Sequence, residues 1–259
     1  MANRELDAEL FTALQAKDAA RVRALLDAGA DPNEREPEHG LPALFVVTGH
    51  HHEPEIARML LEAGADPNDG ESVFHAAESF HEEALELLLQ FGADLNWTGD
   101  WGNTPLYFLL RYWDVEREER AARGLDWLLD HGADPNVPCG REGETSLHVA
   151  VRRGQGREVV RLLLDRGADV TARRGDGRTP WVLAERGGFE ELKELLESAG
   201  ARAEPLSPED ELLAACSRGD EDEARQRSTP EVFAALQPID LELIIEAARQ
   251  GRADVVRAC

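Results

Sequence analysis

The residues best able to do chemistry are clustered histidines, cysteines and carboxylates, and this chain offers several arrangements of them. His50, His51 and His52 stand in a row ahead of Glu53 and Glu55. A metal needs ligands that converge, but neither a helix nor a strand points three successive side chains one way. No further histidine or cysteine follows at ligand spacing, so the run reads as a solvated loop and no metal or other cofactor is expected. His81-Glu82-Glu83 begins as a metalloprotease helix would, without the second histidine one turn later. Gly154-Gln155-Gly156 lacks both the preceding strand and the third glycine of a phosphate loop. Cys139, within "VPCGREG", has no general base beside it and makes a poor nucleophile. Among 52 acidic residues no carboxylate pair stands out as a catalytic dyad. Nothing here points to an enzyme.

The background composition narrows the setting. At 259 residues and 42% hydrophobic the chain can build a substantial core. It contains no apolar run of about 18 residues, and acids occupy the start "MANRELDAEL" where a secretory signal would be apolar. Cys139, Cys216 and Cys259 are far apart and odd in number, which suits a reducing, cytoplasmic setting. A net charge of −24 argues against polyanionic partners, so neither nucleic acid nor anionic membrane is expected. All but Lys17 and Lys193 of the 28 basic residues are arginines, a bias that fits a GC-rich coding sequence.

What must position any functional residue is a repeat. "AGADPN" at 28–33 returns at 63–68, then as "FGADLN" at 91–96, "HGADPN" at 131–136, "RGADVT" at 166–171 and "AGARAE" at 199–204. The glycines are spaced by 35, 28, 40, 35 and 33 residues. A leucine-rich run precedes each one, as in "EVVRLLLDRG", with the apolar spacing of a helix that buries one stripe. Glycine then ends that helix, because the residue past the last turn often needs a positive φ. A second motif opens the units: "LPALF" at 41–45, "SVFHAA" at 72–77, "TPLYFL" at 104–109, "TSLHVA" at 145–150 and "TPWVLA" at 179–184. Threonine or serine there caps a first helix, and proline is tolerated at its first position.

With two motifs recurring in phase, the chain resembles the ankyrin-repeat proteins, whose T-P-L-H-x-A consensus is matched best by "TSLHVAVRRG". The resemblance implies an all-α fold, an ankyrin-repeat solenoid of stacked antiparallel helix pairs joined by β-hairpin fingers. It covers residues 1–202 as six repeats, the first a capping-like unit. His75 and His148 occupy the motif histidine, whose family role is to bond neighbouring backbone. The short "PNDGES" connection predicts a missing finger between the second and third units. Extra residues in "RYWDVEREERAARG" predict irregular geometry in the fourth. Residues 203–259 read as two degenerate helix pairs. The last breaks off at "DVVRAC", so the native chain is expected to continue past Cys259.

In this family partners bind the concave face, formed by finger tips and the exposed ends of the first helices. Carried onto this sequence, those positions begin with His50 and then Ser79 with Phe80. The later units contribute Trp101, Arg111, Tyr112, Arg141, Arg152, Arg153, Arg178 and Arg186, with Asp100, Glu142 and Asp176 at the tips. Arginine, tryptophan and tyrosine dominate binding hot spots. The expected site is a groove on units four to six for a protein segment bearing acidic or aromatic side chains. Trp97 is expected to pack beneath a finger. The implied function is a non-catalytic, monomeric protein-interaction module. Two alternatives are the targeting arm of a longer enzyme or effector, and an acidic inhibitor or antidote protein.

Overall fold

The structure, a computed structural model, describes residues 2–50, 52–99, 101–112, 118–236 and 240. The chain divides into two compact units, Met1–Asp134 and Pro135–Cys259. In the first, α1 (Ala2–Gln15) pairs with α2 (Ala19–Asp27). Next, α3 (Ala43–Phe45) runs into a π-helical turn at Val46–His50 and packs on α4 (Pro54–Glu62). α5 (Ser72–Glu78) pairs with α6 (Glu82–Gln90), and α7 (Pro105–Arg111) with α8 (Glu118–Asp130). The second unit holds the pairs α9 (Ser146–Arg152) with α10 (Arg157–Asp165), α11 (Pro180–Gly187) with α12 (Glu190–Ser198), and α13 (Pro208–Arg218) with α14 (Glu221–Arg227). α15 (Pro230–Ala235) packs on α13. Within each unit first helices pack on first helices, as α9 on α11 and α11 on α13, and second helices on second helices, as α4 on α6 and α10 on α12.

The helices form where the sequence places a buried stripe. Ile56, Ala57, Leu60 and Leu61 line the inner side of α4, and Ala84, Leu85, Leu87 and Leu88 that of α6. Leu89 and Leu164 are only half-buried, because they fall beside the stripe and not on it. At the end of each second helix the turn glycine takes φ between 86° and 104°. The next residue's N–H then donates back to a buried leucine carbonyl five positions earlier, as Ala65 to Leu60 at 2.9 Å and Ala168 to Leu163 at 2.9 Å. A Cβ on these glycines would meet nothing within 4 Å, so backbone angle and not space demands glycine.

The asparagine closing each tetrad does more than the sequence pattern suggests. Asn68 Nδ2 donates to the Gly92 carbonyl while its Oδ1 accepts from the Asp94 N–H. Asn33 grips Gly64 and Asp66 in the same way, Asn96 grips Gly132 and Asp134, and Asn136 grips Gly167 and Asp169. Each asparagine thus pairs one acceptor and one donor of the next repeat's turn, two backbone groups that the helix leaves unpaired. Asp7 takes the acceptor part of this role toward Asp31 N–H at the first turn. At Thr171 the clamp stops, since its hydroxyl bonds Asp169 instead.

Between pairs, pairing of β type among the described residues is limited to two bridges, Arg35 with Pro42 and Cys139 with Glu144. Those two fingers are therefore turns with a single bridge in place of extended hairpins, and among the described residues the turns at 97–103 and 173–178 carry no bridge. No bridge forms at the short connection after Asn68. There Asp69 accepts from the Glu71 and Ser72 N–H groups and from Ser72 Oγ, and Trp97 lies against Gly70 and Gly99. In the fourth pair α8 runs for 13 residues, against nine in α4, α6, α10 and α12. Gly124 lets α8 approach α5 so closely that a Cβ would sit 2.3 Å from the Ala77 carbonyl oxygen.

His148 fulfils the expected backbone role. Its Nδ1 accepts from the Thr145 N–H and its Nε2 reaches the Arg178 carbonyl at 3.2 Å. Burial lowers its pKa. His75 does not share that role. Aligning α5 with α9 residue by residue puts Phe74, not His75, at the position of His148, a slip of one residue that turns His75 toward Glu71 and Glu78.

Replacing Asn96 with alanine should lower the urea midpoint by an amount equivalent to about 1–2 kcal/mol, two backbone groups losing their partner. Asn96→Asp, which keeps the acceptor and loses the donor, should fall between that variant and the wild type.

Candidate protein-binding face

Trp101, Arg111 and Tyr112 belong to the first unit, and the structure brings them to one place. Trp101 follows the turn after Trp97 and Tyr112 ends α7. With Gly70, Glu71, Phe74, Asn103 and Phe108 they line a pocket of about 230 Å³. Trp101 is 71% exposed and Tyr112 53%, the two largest exposures among its described aromatic residues. The floor is built edge-to-face, Phe74 against Phe108 at 5.4 Å and 83°, with Phe108 leaning on Tyr112 at 4.7 Å. The Arg111 guanidinium lies 6.0 Å from the Tyr112 ring centre. Behind the wall, His75 sits between Glu71 (3.3 Å) and Glu78 (3.0 Å) and against the rings of Phe45 and Phe108. Burial opposes a charge on His75, but the hydrogen bonds of Glu71 and Glu78 outweigh it and push the pKa up to about 9. Phe74, Phe108 and Glu71 were not singled out from sequence. Their signal is the pair of aromatics in "SVFHAA" and "TPLYFL", at neighbouring first-helix positions.

The other five arginines lie in the second unit, and most of them turn inward. Arg152 is held by Glu144, Nε to Oε1 at 2.9 Å and Nη2 to Oε2 at 3.1 Å. Glu144 also accepts from Arg174 at 2.8 Å, with the two side chains 2% and 0% exposed. Arg174 reaches on to Asp176, Asp176 to Arg178, and Arg178 to Asp210 at 2.8 Å. Arg186, buried, pairs with Asp210 at 2.7 Å and with Asp240. Four arginines and four carboxylates thus alternate along one line. Burial disfavours the charge of Asp176, yet the bonds from Arg174 and Arg178 hold its pKa well below the ordinary carboxylate range. Arg152, Arg178 and Arg186, expected to line a groove, are held in a self-neutralised internal network. Sequence distance hides that pairing, since Asp210 lies 32 residues from Arg178 and Asp240 54 from Arg186. Arg141 is exposed on its turn, and Arg153 is half-buried at the end of α9.

A family model for ankyrin repeats matches residues 10–98, 44–139, 73–174 and 117–209, which together cover most of the chain. The chain belongs to the ankyrin-repeat family. Its all-α fold is the ankyrin solenoid, similar to the ankyrin repeat domain of Bcl-3 at a TM-score of 0.66 with 23% identity, over 83% of this chain and 97% of that one. An ankyrin repeat domain from Acinetobacter baumannii AYE compares at 0.59 and 29% identity, over 75% and 98%. Ankyrin repeat and SOCS box protein 11 of Danio rerio is 36% identical over 125 residues, 48% of this chain. The chain spans only 38% of that relative's length.

The other candidate chemistry of this ankyrin chain stays apart from the pocket. His52 lies against His81 with ring centroids 4.3 Å apart and planes tilted by 37°, and His81 Nδ1 bonds the Thr48 carbonyl. His51, Asp100 and the terminal "LELIIEAARQGRADVVRAC" lie outside the described residues, as does Cys259. Cys139 is buried and in no disulfide, its backbone paired with Glu144 and its Sγ donating to the Val137 carbonyl. Among the described residues, Glu36, Glu38 and His39 have ligand atoms within 4.8 Å of one another on the turn after α2. No helix among the described residues is long and apolar enough to cross a membrane.

Glu144→Gln should cost about 3–5 kcal/mol in thermal or urea unfolding, because two arginines lose their buried counter-charge. Glu142→Gln, two residues away and outside the network, should change stability by about 0.5 kcal/mol or less. For His75 the folded pKa is raised above the unfolded 6.5. Its contribution is therefore fully present below pH 6.5 and lost as pH rises toward 9. Urea midpoints of wild type and His75→Gln should differ most at pH 6 and converge above pH 9.

Proposed function

We propose that this chain, a member of a family of protein–protein interaction modules, grips a segment of a partner protein along its finger tips and first-helix ends, with the pocket of Trp101 and Tyr112 as the principal anchor. The observation that carries the proposal is the exposure of these two large aromatics on a floor of packed rings. Burying such residues is costly to forgo and characteristic of binding hot spots. Arg141 and Arg153 are the remaining arginine contacts proposed for the second unit, while Arg152, Arg178 and Arg186 act as internal supports for that face.

The reading as an acidic inhibitor or antidote draws support from the charge distribution. The first unit holds 28 acidic and 10 basic residues, so the acidity is concentrated on the part that carries the pocket. A targeting arm uses the same surface within a longer chain.

Affinity enrichment from the native lysate tests the proposal. A partner recovered by the wild type should be lost with Trp101→Ala plus Tyr112→Ala, and weakened with Arg141→Glu plus Arg153→Glu. Undiminished recovery with both double variants would place binding elsewhere.

A further inference from the structure

We infer that the occupant of the Trp101 pocket is a cationic side chain, a lysine or arginine carried by a basic segment of the partner. This deepens the interaction reading above and rests on it. Volume sets the first limit. About 230 Å³ is below the range of small-molecule sites and suits one long side chain. The walls set the second. Trp101 offers a largely exposed indole, Phe74 and Phe108 form an apolar floor for an aliphatic stem, and Asn103 adds a polar side chain to the lining. An aromatic face over an apolar slot attracts a cation through the ring quadrupole. Tyr112 serves as a wall more than as a face, since Arg111 already approaches its ring.

Charge decides between a cation and an anion. The charged residue lining the pocket is Glu71. Glu71 and Glu78 both approach the His75 ring, at 3.3 and 3.0 Å. Around it the sequence is strongly one-sided: residues 36–111 hold fourteen carboxylates against two arginines, Arg58 and Arg111, and no lysine. An acidic segment would meet that field on approach, and a nucleic acid would meet it along its whole length. A basic segment is drawn in. The arginines that pointed toward an acidic partner at the sequence level are, in three cases, already neutralised within the second unit.

The test is selection of peptides from a random decapeptide library on the intact protein, in parallel on Trp101→Ala. Trp101 is largely exposed, so the variant should keep the wild-type circular dichroism and unfolding midpoint. The expected result is a set of peptides that carry lysine or arginine at one fixed position. They should lose about ten-fold or more in affinity on Trp101→Ala and weaken as sodium chloride rises. Replacing that basic residue with norleucine or glutamine should cost a similar factor. Peptides that depend on Trp101 but carry no basic residue, or an acidic one, would overturn the cation inference and leave the interaction site standing. Peptides indifferent to Trp101→Ala would overturn both, as would the absence of any enriched sequence.

Discussion

The structure depends on a clamp made by one side chain. A helix that stops at a glycine turn exposes carbonyl and amide groups that must find partners, and a repeat protein faces this problem at every joint. Here an asparagine of the preceding repeat supplies donor and acceptor at once, fixing the level at which the next turn sits. The first helices are aligned by that level, and with them the finger tips and the pocket floor. Where the asparagine gives way to Thr171 the means change. Glu204 then accepts from Arg173 at 2.7 Å and from Thr179 at 3.0 Å, so side-chain charge takes over from the amide.

The two units handle charge in contrasting ways. The second draws arginines and carboxylates into an alternating buried line in which every cation touches an acid. Such a line adds little net stability over an apolar core, but it tolerates no missing member. It therefore fixes the relative placement of α9, α11 and α13. The first unit leaves its excess acid on the surface and its two largest exposed rings beside it. The buried line is internally neutral, four arginines against four carboxylates, whereas the first unit carries its acid outward.

Much of this was legible in the sequence, and the failures are instructive. Helix pairs, glycine stops, threonine caps and the missing finger follow from local chemistry acting over three or four residues. The arginine groove did not, because an arginine on a helix surface looks the same whether its counter-ion is water or an aspartate 54 residues away. The His75 assignment failed by one residue. "SVFHAA" matches the motif as a string, but the helix begins at Ser72 and so shifts the register. Trp101, Arg111 and Tyr112 were proposed from their repeat positions. The phenylalanine floor beneath them was not, because packing between neighbouring repeats has no local signature.

One feature of the helix ends bears on how the protein could be altered. Two residues past α1, α5, α9 and the π-helical turn, and directly after α11 and α13, one residue adopts a left-handed conformation. In the second unit Gly154, Gly188 and Gly219 fill it at no steric cost, whereas in the first it falls to Lys17, His52 and Phe80. A side chain there is disfavoured by roughly 1–2 kcal/mol. Phe80 has a compensating use, since Arg123 stacks over its ring at 4.3 Å. Lys17 reaches across to Glu53 at 2.8 Å through a solvent-exposed pair that adds little. The first unit therefore holds unused thermal headroom at Lys17, away from the binding pocket, while the second has already taken the corresponding gain.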